Sequence, residues 1–95
     1  LNQANLVVRK EQISKGGISQ TSVDIRIILK IGVESMATGL ILAHNHPSGN
    51  LSPSHSDKVL TQKIKTAGAL MDMEVLDHLI VTQKSYFSFA YEGIL

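Results

Sequence analysis

Gly39-Leu40-Ile41-Leu42-Ala43 is a short, uninterrupted apolar run that opens on a glycine and ends against a histidine. With no polar side chain to turn toward water, such a run predicts a strand buried on both faces. A strand of that kind needs cover, and the flanking sequence offers it. Val23 to Ala37 alternates like a strand, yet Ile25, Leu29, Gly32 or Val33, and Met36 also form a helical stripe. Its length of about fifteen residues favours a helix, since strands usually stop near eight. Thr21, Ser22 or Asp24 can start it, and apolar residues on most sides predict that it is largely buried. Asn45 to Pro53 is rich in Pro, Gly, Asn and Ser and reads as loop. From Ser54 a second helix is expected, with Val59 or Leu60, Ile64, Ala67 and Met71 inward and Lys58, Gln62, Lys63 and Lys65 outward. Met73 to Thr82 reads as another strand, Gln83-Lys84-Ser85 as a turn, and Tyr86 to Phe89 as a last short strand. Upstream, 6–21 suggests two or three short strands punctuated by glycine, after a polar turn over Asn2 to Asn5. This order predicts an α/β fold: a mixed β-sheet flanked by two main helices, in one domain over residues 1–95.

At 95 residues, such a domain buries only about 60–65% of the surface that its unfolded chain exposes. Two Phe, two Tyr and no Trp leave the filling to Ile, Leu and Val. Nine Lys plus Arg against eight Asp plus Glu give a net charge of +1, without the strong basic field of a dedicated duplex-DNA binder. The absence of Cys excludes disulfides and thiolate metal sites, so any metal must be held by His, Asp or Glu. No apolar run approaches the roughly 18–20 residues of a membrane span, and the expected location is the cytoplasm. The start on Leu1, in what reads as ordered sequence, suggests a piece of a longer protein with a strand preceding it.

His44 and His46 stand two apart at the end of the apolar strand, so extended backbone turns both imidazoles to one face. That pair is a natural grip for zinc. Asp57, in the first turn of the following helix, can fold back toward them as a third ligand. Three protein ligands with a fourth position left for water mark a catalytic zinc, which lowers the pKa of that water toward about 7. Each piece also has a plainer reading. A histidine near a strand end is more often simply hydrogen-bonded or exposed. Ser54 and Asp57 form a capping box with Asp in place of Glu. Pro47, Gly49 and Pro53 can merely shape a tight loop.

The spacing His44-x-His46, seven residues, Ser54, two residues, Asp57 resembles the JAMM motif of the JAB/MPN metalloenzymes at every fixed position. The fuller string His44-Asn45-His46-Pro47-Ser48-Gly49 with Pro53, Ser54 and Asp57 is similar to the RadC branch of that superfamily in bacteria. So are Asp77-His78-Leu79-Ile80-Val81 and Tyr86-x-Ser88-Phe89. The resemblance implies a cytidine-deaminase-like sandwich, truncated at its N-terminus. It further implies one zinc ion on His44, His46 and Asp57, with Ser54 as the catalytic hydroxyl that steadies an oxyanion. In that superfamily an upstream glutamate is the general base. By this likeness it falls before Leu1; the alternative is that Glu11 substitutes for it, and Glu34 falls in the helix ahead of the motif.

His55 is expected to face away from the site. His78, in an apolar strand, reads as a core histidine bonded to backbone. The lysine face reads as solvated, with nucleic-acid contact the lesser reading, and Tyr86, Phe87, Phe89 and Tyr91 as packing at the sheet edge. The resemblance implies a zinc hydrolase of peptide or isopeptide bonds acting on a peptide or protein substrate. The alternatives are a non-catalytic DNA-repair or protein-interaction module that keeps fold and metal, and a zinc nuclease. Near-neutral charge and ligands for only one metal count against the nuclease.

Overall fold

A computed structural model describes residues 1, 2, 4, 6, 7, 9, 10, 24–46 and 49–95. The elements run α1 (Ile25–Glu34), β1 (Gly39–Asn45), α2 (His55–Leu70), β2 (Glu74–Val81) and β3 (Tyr86–Ser88). The sheet is mixed, in the order β1-β2-β3, with β1 parallel and β3 antiparallel to β2. A mixed sheet with two helices is the architecture expected. No helix among the described residues is long and apolar enough to cross a membrane. The strands expected within 6–21 lie largely outside the described residues; Leu6, Val7, Arg9 and Lys10, which are described, belong to no strand. Asn2 does shape a turn, since its Oδ1 accepts from the backbone N–H groups of Ala4 and Leu6. Leu1 lies along the start of β1, its amino group donating to the Gly39 carbonyl at 2.7 Å.

Asp24 caps α1, its carboxylate accepting from the Arg26 N–H at 2.9 Å. Thr21 and Ser22 lie outside the described residues. The expectation that this helix is largely buried does not hold: Gly32 alone is buried, whereas Ile27, Val33 and Met36 are exposed. The chain leaves the helix at Met36, whose φ of 51° breaks the repeat, so Met36 never joins the stripe. A Cβ on Gly32 would stand 2.6 Å from Met73 Sδ, and one on Gly68 of α2 would stand 2.8 Å from the Met73 carbonyl oxygen. Both helices therefore seat a glycine against the same buried methionine.

The expectation that β1 is buried on both faces is also corrected. Its burial alternates, with Leu40, Leu42 and His44 half-buried and Ile41, Ala43 and Asn45 exposed. The inner face of α2 is Thr61, Ile64 and Gly68, while Val59 and Met71 are exposed. The register between β1 and β2 slips after Leu40, so that Leu40 pairs with Val75 and Ile41 with Asp77. Leu76 is the extra residue of a bulge, which inverts the alternation beyond it. His78 and Ile80 consequently turn inward with Val75, against α2. Ile64, Met73, Val75, Ile80 and Phe89 form the core. Phe89 is buried and half-buried Phe87 meets it edge-on, as expected of packing aromatics, whereas Tyr86 and Tyr91 are exposed.

Candidate metal centre

The end of β1 and the start of α2 meet across the loop that joins them. His46 continues the strand, its N–H donating to the Val81 carbonyl at 3.1 Å, so His44 and His46 keep the same-side spacing of extended backbone. Pro47 and Ser48 lie outside the described residues. Gly49 has φ +80°, a left-handed conformation that side chains disfavour, and its N–H closes a turn onto the His46 carbonyl. The turn carries the chain back so that the Asn50 carbonyl stands 2.7 Å from His46 Nδ1.

Ser54 caps α2. Its Oγ accepts from the Asp57 N–H at 3.0 Å, and its own N–H donates to Asp57 Oδ2 at 2.7 Å. The capping box and the ligand reading thus concern the same geometry, for the cap is what aims the carboxylate. Asp57 Oδ1 lies 3.2 Å from His44 Nε2, Asp57 Oδ2 lies 3.4 Å from His46 Nε2, and the two Nε2 atoms are 2.8 Å apart. One donor atom from each of the three residues lies within 4.8 Å of the others. All three are half-buried. Tetrahedral zinc bonds of about 2.0–2.2 Å place ligand atoms roughly 3.3–3.6 Å apart. Each imidazole therefore has one Asp57 oxygen within about 0.2 Å of that range, Oδ1 for His44 and Oδ2 for His46, and the His44–His46 approach is shorter.

The hydrogens around the cluster decide what it can hold. A carbonyl only accepts, so His46 Nδ1 carries the hydrogen given to Asn50 and Nε2 is left with a lone pair. His44 Nδ1 lies 3.0 Å from His78 Nε2, and His78 Nδ1 lies 2.5 Å from Thr61 Oγ1. Thr61 donates its one hydroxyl hydrogen to the Asp57 carbonyl at 2.7 Å, so it accepts from His78 Nδ1. His78 Nε2 then accepts from His44 Nδ1, and His44 Nε2 is also bare. Two lone pairs and a carboxylate face one another at hydrogen-bond distances with no hydrogen to share. That donor set suits a divalent cation.

The electrostatics agree. Burial pushes the His78 imidazole down to about 4, and the neighbouring His44 presses the same way, so His78 is neutral at physiological pH. Burial likewise lowers His44, with Asp57 opposing and His46 adding. For Asp57 burial pulls upward, but hydrogen bonds from Ser54 and the attraction of His44 and His46 hold the carboxyl below its usual range.

The remaining candidates fall elsewhere. His55 is exposed, as expected. Glu34 pairs with Arg9 at 3.5 Å on α1. Glu11 lies outside the described residues. Among the described residues Asp57 is the one carboxylate that groups with the two histidines. His78 is buried at 2% exposure, but its partners are side chains rather than backbone. Sequence reasoning missed its contact with His44, and missed Thr61 entirely. The available signal was Asp77-His78, a polar pair inside an apolar strand.

The fold and the site define a class: a mixed α/β domain that presents a His/His/Asp cluster between a strand end and a capped helix. A family model of the RadC-like JAB domain matches residues 1–94, and the chain belongs to that family, within the JAB/MPN superfamily. It is 58% identical over 94 residues to a UPF0758 protein of Flavobacterium johnsoniae, covering 99% of this chain and 41% of that protein. It is 46% identical over 96 residues to a UPF0758 protein of Porphyromonas gingivalis, covering all of this chain and 42% of that one. The UPF0758 protein YfjY of Escherichia coli K12 is 44% identical over 95 residues, again across the whole chain and 59% of the relative. The chain thus spans between two-fifths and three-fifths of these relatives.

Proposed function

We propose that this chain is the metal-binding part of a JAMM-type hydrolase that cleaves peptide or isopeptide bonds. His44, His46 and Asp57 would hold one zinc ion. The observation that carries the reading is the convergence of two bare Nε2 atoms and a carboxylate whose other hydrogen bonds are already made. A zinc ion held by these residues would supply Lewis acidity and a nucleophile at neutral pH. Each protein group then has a task. The Asn50 carbonyl and His78 orient the imidazoles, the Ser54 N–H orients the carboxylate, and the Ser54 hydroxyl donates to the negative oxygen that develops on the substrate. A near-neutral chain with one three-residue cluster among the described residues gives no support to a two-metal nuclease.

A second reading is favoured by one observation: among the described residues no carboxylate besides Asp57 joins the cluster, and hydrolysis requires a further proton acceptor. In that reading the domain keeps fold and metal but serves as an interaction module, including one associated with DNA repair. The test compares the 95-residue chain with a version joined to the sequence that precedes the matching region in the Flavobacterium johnsoniae relative, 41% of which the chain covers. Zinc content and cleavage of a peptide and isopeptide library are measured for both. General-base catalysis is typically worth about 10²–10⁴ in rate, so the extended version is expected to be at least about a hundredfold faster. Equal activity would make Glu11 the residue to mutate. Bound zinc with no cleavage in either would establish the non-catalytic reading.

A further inference from the structure

We propose that His78 and Thr61 are positioning residues that fix the tautomer of His44, linking the metal centre to the interior of the protein. The proposal rests on the metal reading of the His44, His46 and Asp57 cluster. It is carried by a continuous line of contacts that only one arrangement of hydrogens satisfies. Thr61 Oγ1 reaches back one helical turn to the Asp57 carbonyl at 2.7 Å and stands 2.5 Å from His78 Nδ1, and His78 Nε2 stands 3.0 Å from His44 Nδ1. The carbonyl at one end accepts only, so every hydrogen along the line points toward it. The other end of the line is a bare Nε2 on His44.

The ring that relays this constraint is itself held. His78 stacks on Phe89 with centroids 4.6 Å apart and planes 13° from parallel. Phe89 is clamped in turn, because its N–H donates to the His78 carbonyl and the next residue, Ala90, donates to Asp77 Oδ1. Asp77 Oδ2 accepts from the Ser88 hydroxyl at 2.6 Å. The bulge at Leu76 is what turns His78 inward rather than Asp77. Because Thr61 hangs on the carbonyl of Asp57, two of the three cluster residues are tied into one line: the Asp57 backbone at its end and the His44 ring at its start.

The test uses zinc alone as probe and has two independent readouts. In metal-free protein with ¹⁵N-labelled histidine, two-bond proton–nitrogen correlations report the tautomer of His44, which is expected to be protonated at Nδ1. Zinc affinity is measured separately by competition with a chromophoric chelator. His78→Phe removes the acceptor and is expected to weaken zinc binding by about 10–100-fold, the usual effect of losing a partner of a ligating histidine. His78→Gln can accept from His44 and donate to Thr61, and is expected to stay within about threefold of wild type. Thr61→Val keeps the shape of the side chain, frees the His78 tautomer and is expected to leave His44 as a tautomer mixture with weakened zinc binding. If His78→Phe does not fold, Thr61→Val decides. Wild-type His44 protonated at Nε2, or undiminished zinc affinity in a folded His78→Phe or Thr61→Val, would overturn the proposal. Absence of zinc binding in the wild type with the expected tautomer would instead refute the metal reading and leave the relay standing.

Discussion

Replacing Asp57 by Asn keeps the shape of the side chain and an oxygen for the Ser54 N–H, but removes the charge that faces His44 and His46. Zinc affinity is expected to fall by at least about tenfold, while the helix cap survives. Ser54→Ala acts on the other half of the same pair: it removes the hydroxyl that accepts from the Asp57 N–H and should cost about 1 kcal/mol of stability. Metal content should remain nearly intact, and turnover should slow by about 10²–10³ if the hydroxyl serves as an oxyanion donor. Metal analysis and thermal melts on the two variants separate these roles. Loss of metal in Ser54→Ala as complete as in Asp57→Asn would place Ser54 among the ligands. His78 adds a pH dependence. Its folded pKa is about 4 against an ordinary 6.5, so between those values the unfolded chain takes up a proton that the folded one refuses. Metal-free protein should therefore lose stability as pH falls below about 6.5, at up to about 1.4 kcal/mol per unit from this group. Denaturant titrations across that window check it, and the slope should be shallower in His78→Gln.

At the scale of elements, Gly68→Ala offers a sharp contrast with Gly32→Ala. Alanine favours a helix over glycine by about 1 kcal/mol, but the new methyl at position 68 would meet the Met73 carbonyl oxygen at 2.8 Å, and backbone cannot step aside. A net loss of about 1–2 kcal/mol is expected. At position 32 the neighbour is the buried Met73 thioether, a side chain rather than backbone, so the change should cost less than at position 68. Melting temperatures of the two variants measure the difference. The same elements show what was legible beforehand. The strand-end histidines and the capped Asp57 could be read because strand parity and helix capping act over two or three residues. The order of strands and helices from Ser54 onward could be read from local periodicity. Of the stripe expected on α2, Ile64 is buried and Leu60 and Ala67 half-buried; Thr61 and Gly68, which also face inward, were missed because they are not large apolar residues, and Val59 and Met71, which are, face out. His78 could not be placed because a bulge at Leu76 reverses the side of every residue beyond it, and that slip depends on the partner strand. The exposed outer face of β1 could not be foreseen from Ile41 and Ala43, whose composition is that of a core.

Across the whole molecule, one residue joins what the sequence keeps apart. Met73 sits ahead of β2, with Gly32 of α1 against its sulfur and Gly68 of α2 against its carbonyl, and only 2% of it meets solvent. Met36 and Met71, by contrast, are 82% and 46% exposed. Oxidation to the sulfoxide adds a polar oxygen to the sulfur, for which the space beside Gly32 has no room. Dilute hydrogen peroxide followed by peptide mass mapping should therefore modify Met36 and Met71 while sparing Met73. Modification of Met73 at the same rate as the other two would mean that the helices do not hold it. Once it is protected in this way, the slow conversion of that single sulfur becomes a clock, counting how often α1 and α2 lift away from the start of β2.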